Sequence, residues 1–288
     1  MSQRAEDAFR ADIVEVGRRL YARGYVASND GNISIRLDDD TILTTPRSVS
    51  KGFMTPDMMV VTDLSGKKIR GNRDASTELL MHLEVYKNRP DARAVVHAHP
   101  PTATGFAVAG IPLDRAVLAE VIATLGSIPI AEYGTPSTPE LPEAVRKYIK
   151  AHDGLLLANH GALTVAGEVF AAYYKMETIE HFARISLVAR QLGREHVLSR
   201  EEVERLQGLR GNYGIKSPAP ICADGSAAPA DNDPASCQII QSAGSLPSGA
   251  RLVPTDPSDL DGEIRLSYRE LTALIEDAVK ALLGGQHG

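Results

Sequence analysis

The chain has 288 residues, of which 43% are hydrophobic, and a formal net charge of −6. This length allows one domain of about 200 residues with an appendage, and the apolar content supports a sizeable core. The acidic balance argues against nucleic-acid binding, no apolar run is long enough to span a membrane, and we expect no secretory signal. Cys222 and Cys237 suggest neither a disulfide framework nor a zinc pair, so we expect a protein of the reducing cytosol.

Hydrophobic spacing and turn residues predict helices and strands that alternate along residues 1–215. In chain order they are a helix at 6–24, strands at 33–37, 41–44 and 59–62, a helix at 77–88 capped by Ser76, a strand at 94–99, a helix at 101–109, a strand at 127–132, a helix at 139–150, a strand at 155–158, and helices at 167–192 and 199–209. Ser199 and Glu202 form the pattern of a capping box. The order predicts an α/β fold of three layers, with a central mixed, mainly antiparallel sheet covered by helices.

The composition changes after residue 215. Residues 216–262 hold seven of the chain's 17 prolines and are predicted to be a disordered linker. A capping box at 267–270 then opens an amphipathic helix within 263–288. Its apolar stripe comprises Leu271, Leu274, Ile275, Ala278 and Leu282. This stripe either packs on the globular domain or contacts another molecule.

The most informative residues are His97 and His99, which end an apolar run and lie two apart. Side chains alternate along a strand, so both imidazoles are predicted to point to the same side. His160 follows a second apolar run and precedes Gly161. Three neutral histidines with open coordination positions are typical of catalytic zinc, whereas a solvated or structural pair is the simpler interpretation of His97 and His99 alone.

Polar residues near the start of the helix predicted at 77–88 are candidates for anion binding and proton transfer. Ser76 and Thr77 open this helix, where free N–H groups and the dipole favour an anion, although an ordinary N-cap is the alternative. Glu78 is either an acid–base group beside the histidines or only an acid that complements the helix dipole. Asn32, beside Gly31, is either a binding residue or a turn residue.

Five short motifs occur in the order and rough spacing of class II sugar-phosphate aldolases. They are Gly-Asn-Ile-Ser at 31–34, Thr-Pro at 45–46, Ser-Thr-Glu at 76–78, His-Ala-His at 97–99 and Asn-His-Gly at 159–161. Over residues 8–215 the chain resembles this family, which also includes adducin-like domains, and within it the L-fuculose-1-phosphate aldolase branch. Each motif alone is weak, but five in order are specific.

The resemblance implies one zinc ion per chain, held by His97, His99 and His160, with Glu78 as the acid–base group. It implies retro-aldol cleavage of a ketose 1-phosphate, of the L-fuculose or L-rhamnulose type, to dihydroxyacetone phosphate and lactaldehyde. It also implies a homotetramer with sites between neighbouring subunits. The implied phosphate pocket comprises Asn32, Thr45, Arg47, Ser48, Ser76 and Thr77.

The sequence departs from the aldolase pattern at two places. The family's aldolases use a tyrosine from a neighbouring subunit for proton transfer at the aldehyde oxygen, but residues 115–120 contain none, and Glu120 is the nearest ionisable group. A second family tyrosine does match, at Tyr213, whose alternative role is that of a docked aromatic. Arg47 and Ser48 replace small residues, and Arg47 could bind phosphate with two hydrogen bonds.

Two further hypotheses concern other activities and the C-terminal region. An epimerase, dehydratase or decarboxylase on the same scaffold, or a non-catalytic adducin-like module, is the alternative to the aldolase; the superfamily's epimerases carry Asp where this chain has Glu78. A linker followed by a short terminal helix resembles the encapsulation peptides of bacterial microcompartment enzymes. That resemblance implies a shell protein as partner and a location inside a microcompartment, where lactaldehyde would be confined.

Overall fold

The computed structural model describes residues 3–221 together with Cys237 and Thr272. The chain divides into two units, Met1–Gly244 and Ser245–Gly288. The α-helices of the first unit are α1 (Gln3–Ala22), α2 (Leu79–Asn88), α3 (Pro101–Val108), α4 (Ala119–Thr124), α5 (Glu140–Tyr148), α6 (Val169–Gln191) and α7 (Arg200–Gly208). Its strands are β1 (Asn32–Arg36), β2 (Thr41–Thr44), β3 (Val60–Asp63), β4 (Lys68–Arg70), β5 (Ala94–Ala98), β6 (Ile130–Ala131), β7 (Gly154–Leu157) and β8 (Gly161–Ala166).

The predicted C-terminal elements lie almost entirely outside the described residues. The linker expected at 216–262 is described only at 216–221 and Cys237, and the helix expected at 263–288 only at Thr272, which is helical and exposed. Within the described part of the chain, no helix combines the length and apolar character needed to cross a membrane.

The eight described strands form one sheet in the order β4-β3-β2-β1-β5-β8-β7-β6. Every neighbouring pair is antiparallel except β6 and β7, which run parallel. The predicted mixed, mainly antiparallel sheet is therefore confirmed.

Helices cover both faces of the sheet, which gives the three predicted layers. One apolar core lies between the sheet and α1, α3 and α6, and the other lies between the sheet and α2 and α5. The neighbours Val95 and Val96 on β5 belong to different cores, because successive side chains of a strand point to opposite faces.

Strand β5 occupies the centre of the sheet, between β1 and β8, and all of its residues are buried. His97 lies opposite Asn32 on β1 and opposite Leu163 on β8. The β7–β8 turn lies beside the end of β5, since Ala98 pairs with Ala162. The end of β5, the start of β1 and this turn therefore meet at one edge of the sheet.

Several elements differ from the sequence prediction. Strand β8 was not expected, because every one of its residues is buried and the alternation that marks a half-exposed strand is missing. Its presence places His160 in a hairpin turn. Strand β4 is short and exposed, and α4 is one short helix, so neither produces a clear periodic pattern.

Helix α2 begins two residues later than predicted. The helix begins at Leu79, with Glu78 at the N-cap position, so the prediction that Ser76 caps a helix at 77 is wrong. Ser76 instead joins a turn in which its backbone N–H donates to the Thr45 carbonyl at 3.2 Å. The capping box of Ser199 and Glu202 at the start of α7 is confirmed.

Cys237 is disulfide-bonded, so the expectation that the cysteines take no part in a disulfide is wrong. The sequence carries no signal that separates the two cases. Pairing depends on how closely the folded chain brings two Cα atoms together, and cysteine count and spacing do not determine that distance.

Candidate functional site

Three histidines form a compact cluster at the sheet edge where β5 ends. The ring centroids of His97, His99 and His160 lie 4.7 to 5.0 Å apart. Their candidate ligand atoms all lie within 4.8 Å of one another. The strand alternation that predicted His97 and His99 on one side, together with the β7–β8 turn, brings the three rings to one point.

Two glycines allow the backbone to approach this cluster closely. A Cβ atom on Gly161 would lie 2.6 Å from the Ala98 carbonyl and 2.6 Å from the ring of His99. A Cβ on Gly31 would lie 2.8 Å from the His97 carbonyl, and Gly31 has a φ of +72°. Both positions therefore require glycine, which explains the motifs around them.

Hydrogen bonding and burial prepare the rings to act as ligands. Nδ1 of His97 lies 2.9 Å from the Ala162 carbonyl, which can only accept, so the proton is on Nδ1 and Nε2 is free. Burial lowers the pKa of His97 and of His99, so neutral rings are favoured. A neutral imidazole nitrogen is a common ligand of divalent transition metals.

The donor set fits a divalent cation that prefers nitrogen ligands. The Nε2 atoms of His97 and His99 lie 3.1 Å apart, which is close to the spacing of two ligands on one tetrahedral centre. Nδ1 of His160 is buried and has no hydrogen-bond partner among the described residues. His97, His99 and His160 are therefore the residues that could hold a metal here.

Glu78 adds a carboxylate to the cluster. Its Oε1 lies 3.0 Å from Nε2 of His160, and its Oε2 lies 3.7 Å from Nε2 of His97. Asn32 donates a hydrogen bond of 2.8 Å to Oε2. Burial raises the pKa of Glu78, whereas the hydrogen bond with His160 lowers it, and the net result is a lowered pKa. A carboxylate that is ionised at neutral pH can accept and return a proton.

A cavity of about 330 Å³ opens beside the cluster. Two pairs from the expected phosphate pocket, Arg47 with Ser48 and Ser76 with Thr77, line it together with Glu78. Asn32 contacts the cavity wall through Ser76, at 3.3 Å, and Glu78. The structure thus brings these residues together at one opening.

Three other candidate residues lie elsewhere in the chain. Thr45 is fully buried, and its Oγ1 accepts the Ile33 backbone N–H at 3.2 Å. Glu120 is exposed on α4 and lines a different cavity, of about 630 Å³, with residues of α6. Tyr213 ends a 3₁₀ turn and is 61% exposed. None of the three lines the cavity beside the histidines.

Two charged residues of the site were not predicted from the sequence. Lys51 lines the cavity although it is only 2% exposed, and its ammonium donates to the carbonyls of Asn29 and Val49 at 2.9 and 2.8 Å. Burial lowers its pKa to about 8. Asp30 also lines the cavity. A loop lysine and a turn aspartate are normally solvated, so neither carries a sequence signal; only the position of Asp30 directly before the 31–34 motif pointed to this region.

The profile of the Class II Aldolase and Adducin N-terminal domain family matches residues 11–187. The chain belongs to this family and is a lyase of the class II aldolase type.

Individual similar proteins show which activities occur among the relatives of this chain. An L-fuculose phosphate aldolase of Methanococcus maripaludis is 34% identical over 181 residues, which are 63% of this chain and 97% of the relative. A 3-oxo-tetronate 4-phosphate decarboxylase of Pectobacterium atrosepticum is 31% identical over 188 residues, or 64% of this chain and 86% of the relative. A solved structure of L-fuculose 1-phosphate aldolase has a TM-score of 0.67 and 29% identity, with 75% of this chain and 98% of that chain covered. The chain is thus similar to aldolases and to a decarboxylase.

Proposed function

We propose that this protein cleaves a ketose 1-phosphate, of the L-fuculose or L-rhamnulose type, to dihydroxyacetone phosphate and lactaldehyde in a metal-dependent retro-aldol reaction. The observation that carries the proposal is the position of Glu78, whose carboxylate lies 3.0 Å from His160 and 3.7 Å from His97 at the edge of a polar cavity. A carbonyl-activating centre and a proton-transfer group are the two requirements of this cleavage.

The metal would be one zinc ion per chain, held by His97, His99 and His160. When bound, such a cation stabilises negative charge that develops on the substrate oxygens. The three histidines contribute by holding their ring nitrogens in one place, and the backbone carbonyl of Ala162 fixes the tautomer of His97.

Glu78 would move the proton at carbon. During cleavage the substrate hydroxyl loses a proton as the carbon–carbon bond breaks, and the enediolate carbon gains one. Glu78 is ionised at neutral pH, so it would first take up a proton from water at the cavity and then deliver it to that carbon. The hydrogen bond from Asn32 orients the carboxylate.

The phosphate of the substrate would lie in the cavity beside Glu78. Arg47 offers a planar guanidinium that can bind two phosphate oxygens, and Ser48, Ser76 and Thr77 offer hydroxyl groups. Thr45 would act indirectly, because its side chain holds the end of β2 to β1.

Proton transfer at the hydroxyl oxygen needs another group. Glu120 and Tyr213 are the candidates, and neither lines the cavity of its own chain. We therefore propose that they act from a neighbouring subunit of a homotetramer. Light scattering on residues 1–215 tests this assembly, and a fully active monomer would contradict it.

Decarboxylation of a sugar acid phosphate is the second candidate reaction. A relative with that activity is 31% identical to this chain, and residues 115–120 contain no tyrosine. Loss of CO₂ from a 3-oxo acid, whose carboxylate is bonded to the carbon next to the ketone carbonyl, leaves the same type of enediolate without removing a hydroxyl proton. The same histidines and Glu78 would serve this reaction.

One product analysis separates the two reactions. The purified full chain, loaded with zinc, is incubated with L-fuculose 1-phosphate, L-rhamnulose 1-phosphate or 3-oxo-tetronate 4-phosphate. Dihydroxyacetone phosphate from a ketose 1-phosphate supports the aldolase, and CO₂ from the acid alone supports the decarboxylase. An absence of turnover with all three, by a protein that binds zinc, contradicts both.

We further propose that residues 216–262 tether an encapsulation helix within 263–288, and that the enzyme is packaged from the cytoplasm into a bacterial microcompartment. The proposal rests on the capping box and the apolar stripe in the sequence. A fluorescent fusion of residues 216–288 should co-localise with shells, and Leu274→Glu in the stripe should abolish this. A diffuse wild-type fusion in shell-forming cells would contradict packaging.

A further inference from the structure

We propose that Asp30 is a positioning residue of the metal centre: its carboxylate accepts the Nδ1–H of His99 and thereby directs the Nε2 lone pair of that ring into the three-histidine cluster. Oδ2 of Asp30 lies 3.5 Å from Nδ1 of His99. The opposite nitrogen of the same ring, Nε2, lies 3.1 Å from Nε2 of His97. The two nitrogens of His99 thus face two different parts of the site.

The number of N–H groups on the His99 ring favours a metal beside Nε2, the nitrogen that faces His97. A neutral His99 has one N–H for two neighbours, the Asp30 carboxylate and the bare Nε2 of His97. If the proton is on Nε2, the lone pair of Nδ1 faces a carboxylate oxygen, which is unfavourable. If a cation occupies the inner side, Nε2 is its ligand and the single N–H is left for Asp30. With a cation on the inner side, both nitrogens of a neutral His99 therefore have a complementary partner.

The loop that carries Asp30 is fixed at several points. The Asp30 backbone N–H donates to the Ala27 carbonyl at 2.9 Å, and the next residue, Gly31, packs against the His97 carbonyl. The backbone N–H of His99, directly after β5, donates at 2.9 Å to the carbonyl of Tyr25, which precedes this loop. Lys51 holds the preceding carbonyl, that of Asn29. The Asp30 carboxylate is thus presented by an ordered turn although the side chain is 41% exposed.

The three histidines differ in the group that lies next to Nδ1 of the ring. His97 has a backbone carbonyl at 2.9 Å, whereas Nδ1 of His160 has no hydrogen-bond partner among the described residues. Among the described residues, His99 is the only one of the three with a carboxylate next to Nδ1. A carboxylate increases the basicity of an imidazole ligand more than a carbonyl does, and loss of such a partner typically weakens metal binding about 10- to 100-fold.

This inference rests on the proposed metal-dependent function, and zinc affinity tests the two separately. The zinc dissociation constants of the wild type, Asp30→Asn and Asp30→Ala are measured by competition with a chromophoric chelator. We expect Asp30→Ala to bind zinc about 10- to 100-fold more weakly and Asp30→Asn to be intermediate, because its amide oxygen still accepts a hydrogen bond. Asp39→Asn, an exposed acid of the β1–β2 turn, is the matched control and should equal the wild type.

Two further readouts separate positioning from general stability. Thermal unfolding of the metal-free proteins should be unchanged, since the Asp30 side chain is partly exposed, while the visible spectrum of the cobalt-substituted Asp30→Asn protein should shift. Unchanged zinc affinity and an unchanged cobalt spectrum in both Asp30 variants would overturn the role of Asp30 alone. A wild type that binds no zinc would overturn the metal-dependent function and this inference with it.

Discussion

The histidine cluster and the polar cavity beside it are built in different ways. His97 lies on a fully buried central strand, and the backbone approaches the cluster closely at Gly31 and Gly161. The cavity is lined instead by exposed loop residues such as Arg47 and Thr77. Groups that carry out bond cleavage need fixed positions, whereas groups that select a substrate can vary on loops without disturbing the core.

The activities named for the relatives of the chain agree with this difference between the histidine cluster and the loop-lined cavity. An aldolase and a decarboxylase are similar to it to almost the same degree, so the common fold serves more than one substrate. Both reactions require a group that stabilises an enediolate, which a cation held by the histidine cluster would provide. We therefore expect changes in the cluster to abolish turnover and changes in the loop to alter substrate affinity.

The largest effect is expected from His160→Ala. Removal of one of three imidazole ligands should reduce the metal content from about one ion per chain to nearly none, with loss of detectable turnover. Elemental analysis of the purified proteins measures the first and a product assay the second. His196→Ala, an exposed histidine outside the cluster, is the control. Full zinc retention in His160→Ala would remove His160 from the ligand set.

Glu78→Gln should have the next largest effect. The amide keeps the size of the side chain but cannot accept and return a proton, so kcat should fall about 10²- to 10⁴-fold while the metal and the fold are retained. Steady-state kinetics and elemental analysis check both statements. Glu143→Gln, an exposed acid at the start of α5, is the control. Activity within a few-fold of the wild type would shift the role to Glu120 or Tyr213.

Arg47→Ala tests the loop-borne half of the site. Loss of a charged hydrogen bond to phosphate should raise KM about 10- to 100-fold with a smaller change in kcat. Arg47→Lys keeps the charge but cannot make two parallel hydrogen bonds to phosphate, so its affinity should lie between those of Arg47→Ala and the wild type. Arg73→Ala, on the exposed segment before Ser76, should have no effect. A loss in kcat with unchanged KM would place Arg47 at the reacting atoms instead.

The same contrast explains what the sequence could predict. His97 and His99 follow from strand periodicity alone, because a buried strand fixes the direction of each side chain. The start of α2 was misplaced, since Ser76 resembles an N-cap and only tertiary contacts with Thr45 show that it belongs to a turn. Strand β8 was missed because uniform burial removes its alternation.

Contacts between distant loops could not be predicted from the sequence at all. Lys51 is buried because its ammonium finds the carbonyls of Asn29 and Val49, and these contacts exist only after the chain has folded. The proximity of Asp30 to His99 has the same origin. Thr45 and Tyr213 show the reverse case, in which a motif is present but its side chain does not line the cavity.

The smallest effect concerns a buried network beneath Glu78. His82 on α2 is fully buried, and its Nδ1 lies 2.7 Å from Oγ of Ser34 on β1, which in turn contacts the Tyr86 hydroxyl at 2.8 Å. Burial lowers the pKa of His82 to about 3. The network joins the central sheet to the helix whose N-cap is Glu78, so it couples the position of this carboxylate to the core.

The folded protein should therefore lose stability in acid through His82. Between pH 6.5, the ordinary pKa of a histidine, and about pH 3, the unfolded chain binds a proton at this residue that the folded chain excludes. The free energy of unfolding should fall by roughly 1 kcal/mol per pH unit over this window and be unaffected above it. Urea unfolding of the metal-free wild type and of His82→Gln, at pH 7 and pH 5, measures the difference in slope. Identical pH dependence in the two proteins would mean that His82 is accessible to protons in the folded state, and that the strand-borne half of the site is less rigid than its burial indicates.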